Sequence, residues 1–366
     1  MAHSKLSFPV QAAVDCELCE GHIKVDWNSR TCPANLCEKC KVVHVSRTHE
    51  MESRDGHKKH QDQGNQEDRT VRNDPQLLTS PNIGALQLKD RTVKNVPLYP
   101  PTPLDVKVIK TFTAGVRGTV TEMRAISSTK VWCSHKGDTL MMLYDINGQH
   151  IHSLSLDFKI QGFVINNIGN FIVCDLSNYS IKQVTADGYV STLCSTSPWK
   201  PWGICLNHKQ QPVVCIGESL VVYSSDCQTK LQEFKHDQHG KPLFVWPHIV
   251  AMNGETSYCV ADPRGYKVVT IDVEGRLRWT YSGEPGQKRF KPYNICCDSF
   301  MHVLVAETYH NKVHLLDEEG KFIMYITDND SIQHPLGLVV SDDGYLWIGE
   351  DHVLKKVHVI KYLKHI

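Results

Sequence analysis

From Val120 onward one pattern recurs six times, anchored at Val120, Ile160, Pro201, Pro247, Pro292 and Pro335. Consecutive anchors lie 40, 41, 46, 45 and 43 residues apart by subtraction of those positions. A polar turn and then an apolar stretch follow each one: Val131–Cys133, Ile172–Cys174, Val213–Cys215, Tyr258–Val260, Val303–Val305 and Leu346–Ile348. Several copies add a second apolar stretch, as in Leu140–Tyr144, Lys267–Ile271 and Lys312–Leu316, and a turn ending in Gly148, Gly188, Gly275 or Gly320. Short β-rich runs between turn residues, at a period near 40, predict a β-propeller with one four-stranded blade per repeat. Six such units can close into a ring that leaves no long sheet edge exposed.

The sixth repeat ends at Val357–Leu363, one strand short of a blade. Ahead of the first anchor, Val106–Phe112 is a spare strand that resembles the outer strands Arg276–Tyr281 and Lys321–Ile326. It is expected to complete the sixth blade and tie the two ends of the ring together.

Lys plus Arg and Asp plus Glu are each 40 in 366 residues, so net charge points to neither a nucleic-acid nor a membrane partner. There is no run of about 18 apolar residues and no apolar core of a secretory signal at the N-terminus. Of 14 cysteines, nine are scattered through the repeats, several in strands: Cys133, Cys174, Cys215 and Cys259. Buried free thiols pack as small hydrophobes, and their scatter fits a reducing compartment, so a cytoplasmic location is expected.

The other five cysteines crowd into one short segment. Cys16 and Cys19 form one C-x2-C pair, Cys37 and Cys40 a second, with Cys32 between them and His44 and His49 beyond. Zinc takes four thiolate or imidazole ligands in a tetrahedron, and closely spaced pairs each supply two from one turn. The segment has too few apolar residues for a core, so metal binding would supply its folding energy.

These residues, with Trp27, resemble the B-box zinc finger of tripartite-motif proteins, and the six repeats resemble the NHL repeats of the same family. The resemblance covers roughly residues 12–60 and 106–366. It implies that Cys16, Cys19, Cys37 and Cys40 hold one zinc ion. It further implies that Cys32, His44 and His49 belong to a second site. That second site lacks a ligand, because Ser29 stands where the family has cysteine. Asp26, His22 or water would fill the gap, and His57 is an alternative to His49. A RING finger needs eight ligands ahead of the B-box, and only His3 is available before Cys16, so a RING-bearing relative is an expected partner. Residues 61–105 lack the heptads of the family's coiled coil and read as a polar, then proline-rich, linker after an N-terminal tail of 1–11.

Fifteen residues after their anchors, four repeats carry an acid: Asp175, Asp262, Glu307 and Glu350. A circle of carboxylates could hold Ca²⁺, as in propeller enzymes. The preferred reading is a local turn device that accepts backbone N–H groups, since NHL repeats carry an acid there. His135 and Ile216 stand at the two remaining positions, and no nucleophile motif accompanies the acids. RNA binding would need a basic face with stacking aromatics. Basic residues cluster only as Lys288–Lys291 and Lys355–Lys356. Trp199, Trp202, Trp246, Phe290 and Tyr293 either line a peptide-binding face or pack between blades.

The sequence therefore reads as a mainly β protein, a small B-box-type zinc finger followed by a six-bladed NHL-like propeller. The expected function is that of a non-enzymatic adaptor recruiting a protein partner, within ubiquitination pathways by family resemblance. The alternatives are an RNA-binding regulator and a ubiquitin ligase component acting with a RING-bearing partner.

Overall fold

The structure is a computed structural model, and it describes residues 27–28, 35–36, 103–116, 118–287, 289–326, 332–351 and 355–363. The chain divides into two units, Met1–Leu77 and Leu78–Ile366. In the first, β1 (Trp27–Asn28) pairs antiparallel with β2 (Asn35–Leu36), Trp27 opposite Leu36. The expected zinc ligands Cys16, Cys19, Cys32, Cys37, Cys40, His44 and His49 lie outside the described residues, as do His22, Asp26, Ser29 and His57.

The second unit holds six four-stranded antiparallel sheets. Blade one is β4 (Glu122–Ser127), β5 (Lys130–Ser134), β6 (Leu140–Asp145) and β7 (His150–Ser155); blade two is β8 (Ile160–Ile165), β9 (Phe171–Asp175), β10 (Ser180–Val184) and β11 (Val190–Ser195). Blade three is β12 (Pro201–Leu206), β13 (Pro212–Ile216), β14 (Ser219–Tyr223) and β15 (Lys230–Phe234); blade four is β16 (Ile249–Asn253), β17 (Ser257–Asp262), β18 (Lys267–Asp272) and β19 (Leu277–Tyr281). Blade five is β20 (Pro292–Cys297), β21 (Val303–Glu307), β22 (Lys312–Leu316) and β23 (Phe322–Tyr325). Blade six takes β24 (Pro335–Val340), β25 (Tyr345–Glu350) and β26 (Lys356–Leu363), and its fourth strand is β3 (Pro103–Thr113). The first strands of neighbouring blades touch one another, which places them around the axis.

Ring closure follows the expectation. β3 runs antiparallel to β26, with Thr113 opposite Lys356, Phe112 opposite Val357 and Val108 opposite Ile360. A polar relay crosses the joint: Thr111 Oγ1 lies 2.9 Å from His358 Nδ1, and His358 Nε2 lies 3.0 Å from Glu350 Oε1.

The second strand of each blade explains why those stretches read as unbroken apolar runs. Side chains alternate along a strand, and here both faces are covered by a neighbouring blade. Val213 and Cys215 pack toward blade four, while Val214 and Ile216 pack toward blade two. Tyr258 and Val260 pack toward blade three, and Cys259 and Ala261 toward blade five. The six hydrophobic clusters correspond to the six blade-to-blade interfaces. Each fully buried aliphatic side chain there contributes about 1.5–3 kcal/mol, against about 1 kcal/mol net for a hydrogen bond, so these interfaces dominate the disc's stability. Cys133, Cys174, Cys215 and Cys259 are wholly buried free thiols, packing as hydrophobes. Burial likewise pushes the Cys205 thiol up to about 12.

Glycines two residues after the anchors let the first strands crowd the axis. A Cβ at Gly203 would lie 2.6 Å from Ile249 Cα, and one at Gly337 2.8 Å from the Val120 carbonyl oxygen. Neither space admits a side chain.

Candidate functional site

In an antiparallel four-stranded blade, the turn between second and third strands lies at the same end as the crossover into the next blade. The acids at the ends of second strands therefore stand beside incoming crossovers, and their hydrogen bonds show what they do. Asp262 is wholly buried and accepts from the backbone N–H groups of Val245 (2.7 Å), Trp246 (2.9 Å) and Gly265 (2.9 Å). Glu307 accepts from the N–H groups of Lys291 (3.3 Å) and His310 (3.0 Å), and Glu350 from that of Gln333 (2.9 Å). Asp175 accepts from the Ser177 N–H at 2.7 Å and the Asn178 side chain at 2.9 Å, and pairs with Lys182 at 3.1 Å. Burial alone would raise the Asp175 carboxyl, but these hydrogen bonds and the Lys182 charge outweigh it and hold its pKa low.

The two exceptions solve the same problem differently. His135 Nδ1 lies 3.0 Å from the Thr119 carbonyl of its own crossover. In blade three, Ile216 offers no acceptor. There Thr196 clamps the crossover through Trp199, donating to its carbonyl from Oγ1 (2.9 Å) and accepting its N–H at the backbone carbonyl (3.0 Å). The circle of acids thus serves its own backbone, and no cluster of three or more metal-ligating side chains occurs among the described residues.

A second ring follows from the repeat. One residue after the anchors stand Thr121, Gln161, Trp202, His248, Tyr293 and Leu336, and the next positions hold Glu122, Gly162, Gly203, Ile249, Asn294 and Gly337. Where neighbours are glycine, the polar side chains reach across. Asn294 Nδ2 donates to the Thr121 carbonyl at 3.1 Å, past blade six, and Arg124 donates to the Ile204 carbonyl at 3.1 Å, past blade two. Lys136 spans the ring: its Nζ lies 3.3 Å from Glu122 Oε1 and 3.4 Å from His248 Nε2. His248 Nδ1 faces the Tyr293 carbonyl at 3.4 Å, so a neutral imidazole that donates there and accepts from the Lys136 ammonium fits both neighbours. Burial, and then the Lys136 charge, hold His248 well below the usual imidazole range. Burial also lowers the Lys136 pKa, against the opposing pull of Glu122. This girdle lines the axis with charged and amide groups. Neither Glu122 nor Lys136 stood out in the sequence, though Glu122 is the sole acid at its ring position.

Around His248 the aromatic residues gather. Trp202 and Trp246 meet edge to face at 4.8 Å between ring centroids, His248 lies 5.2 Å from Trp202 and 4.7 Å from Trp246, and Tyr293 lies 6.4 Å from His248. Arg264 sits 4.5 Å over the Trp246 ring, and Lys291 lies 5.1 Å from that of Tyr293. Farther out on the same end, Trp199, Val245, Tyr266 and Tyr309 are more than half exposed. Phe290 differs from its companions in sequence: it is 2% exposed and packs between blades four and five. Of the basic residues singled out in sequence, Lys291 belongs to this surface. Lys355 instead donates to the Val116 carbonyl at 2.8 Å, beside the closure.

No family model matches the chain, and no curated protein matches it. Solved structures do. A catalytically inactive virginiamycin B lyase from Staphylococcus aureus with quinupristin superposes with a TM-score of 0.52 at 11% identity, over 70% of this chain and 99% of the lyase. The WD40 β-propeller domain of Doa1 gives 0.52 at 12% identity, over 71% and 98%. A Bacteroides thetaiotaomicron protein of unknown function gives 0.56 at 11% identity, over 70% and 72%. At these identities the likeness is one of fold: a β-propeller.

Proposed function

We propose that this chain is a non-enzymatic adaptor, in which the propeller holds a protein partner and a B-box-type finger is built on zinc. The observation that carries the reading is the aromatic and basic surface at one end of a closed disc whose turn acids are occupied by its own backbone. Rigid elements that present half-exposed aromatics beside unpaired cations are suited to protein recognition. For the finger, support comes from the donor set itself. Cys16, Cys19, Cys37 and Cys40 are four thiolates in two C-x2-C pairs, a set that fits tetrahedral zinc. Cys32, His44 and His49 would hold a second, weaker ion. When bound, zinc supplies folding energy rather than reaction chemistry.

On the resemblance of its finger and repeats to tripartite-motif proteins, the adaptor would act in ubiquitination by bringing a substrate to a RING-bearing relative. Incubated with activating and conjugating enzymes alone, the purified chain is expected to build no more than trace ubiquitin chains. Its capture of a protein partner is expected to survive RNase and to weaken only gently with salt. Robust chain formation dependent on Cys37 would refute the non-enzymatic reading. RNA co-purifying in stoichiometric amount, with a steep salt dependence, would replace it with RNA binding.

A further inference from the structure

Blades three to five carry a continuous crescent at the axial mouth, and its chemistry specifies the partner more closely. Trp246 is fixed by its backbone N–H on Asp262, and the same carboxylate takes the N–H of Gly265, next to Arg264. Lys291 is held through its N–H on Glu307. The turn acids thus aim two cations over two aromatic rings. Lys200, Arg264, Arg289 and Lys291 form no ion pair with another described residue. Asp262 and Glu307, the acids of the adjoining turns, are wholly buried and serve the backbone; Glu284 on the crossover of Arg289 and Lys291 is half-buried beside the Tyr281 hydroxyl, and the exposed Glu218 pairs with Lys235. The crescent therefore presents positive charge and apolar surface together, although the chain as a whole carries none in excess.

Resting on the protein-binding reading, we infer that this crescent takes an extended acidic segment of a partner protein. A carboxylate of the segment reaches Arg264 and Lys291, while an aromatic or aliphatic side chain beside it covers Trp246 and the axial mouth. A single-stranded nucleic acid fits less well. Bases stack on open ring faces. Here Arg264 covers one face of Trp246, Lys291 lies against Tyr293, and the two tryptophans meet edge to face.

The test is selection of short random peptides displayed on phage, run on the full chain and on an R264E/K291E variant. Arg264 is exposed and Lys291 half-buried, so the variant is expected to keep the wild-type melting temperature. Enriched peptides are expected to place Asp or Glu beside Phe, Trp or Leu, and to bind the variant on the order of tenfold more weakly or worse. W246A is expected to weaken them comparably, and Y189S, at the opposite end of the disc, to leave them unchanged. No enrichment, enrichment without acids, or equal binding to the variant would overturn the inference. Tight binding of oligouridylate that R264E/K291E abolishes would overturn it in favour of RNA. Should R264E/K291E still hold an RNase-resistant protein partner that Y189S loses, the adaptor reading stands and this surface is the wrong one. If none of the chains holds a protein partner, the adaptor reading itself fails.

Discussion

Asp262 concentrates what a single residue does here: one carboxylate accepts three backbone N–H groups and so seats a crossover, an aromatic ring and a guanidinium. Removing it leaves buried donors unpaired, each costing about 1–3 kcal/mol. D262A is expected to lose about 2–4 kcal/mol in urea denaturation, and D262N, which keeps one acceptor oxygen, distinctly less. His314 contributes to the acid side of the stability profile. Desolvation pushes His314 down to about 3, and it is ringed by Tyr281, Phe290, Phe322 and Tyr325. Because its folded pKa lies below the unfolded value near 6.5, the unfolded chain takes the proton first. The stabilisation is full above about pH 6.5 and shrinks as pH falls toward 3, by at most about 1.4 kcal/mol per pH unit for each such group. H314F is expected to remove one proton's worth of slope between pH 6.5 and 5, whatever it costs at pH 7. A second fall belongs to Asp175 and Glu350. For Glu350, burial would raise the carboxyl, but the His358 hydrogen bond and the Gln333 N–H lower it. The contribution of Glu350 is present above about pH 4.5 and that of Asp175 above about pH 3.8, and each is lost as pH falls further. In the sequence these acids were visible as a fixed offset from the anchors, and their preference for backbone donors followed from general turn chemistry. That the same offset could be filled by His135, or left to Ile216 with Thr196 as the clamp, was not visible, because each substitute works through a residue elsewhere in the crossover.

At the scale of the strand, β3 was legible because it is an extra copy in a counted series. Its pairing with β26 leaves Val357, Val359, Ile360 and Tyr362 wholly buried. A chain starting at residue 114 is expected to expose that edge and to aggregate, or to melt about 10 °C or more below the full protein. One starting at residue 78 is expected to melt as the full protein does, which differential scanning calorimetry would show. The second strands were equally legible as apolar runs. The aromatic crescent was only half so. Trp199, Trp202, Trp246, Phe290 and Tyr293 all fall in loops or at strand starts, and periodicity gives no rule for which face a crossover residue takes. Phe290 turned inward between blades four and five and the others did not. The girdle was hidden for a related reason: its cross-ring contacts, Lys136 to His248, Arg124 to the Ile204 carbonyl and Asn294 to the Thr121 carbonyl, join residues of different blades.

Across the whole molecule, the two units are expected to respond to metal separately. Chelation should release zinc bound by the N-terminal unit and leave the propeller's melting transition where it was, as metal analysis and calorimetry on one sample would show; a propeller that melts early after chelation would couple the two. Among the described residues, no helix is long and apolar enough to cross a membrane. The closure of the ring carries one more consequence. Pro103 and Leu363 are register partners, so the polypeptide enters and leaves the disc at the same point on its rim. A few added residues would join them, and the circle could then be cut at another exposed turn, such as that of Asp187 and Gly188. A circularly permuted chain of this kind should fold to the same disc. For this architecture, which blade comes first in the gene is a matter of history, and the geometry is indifferent to it.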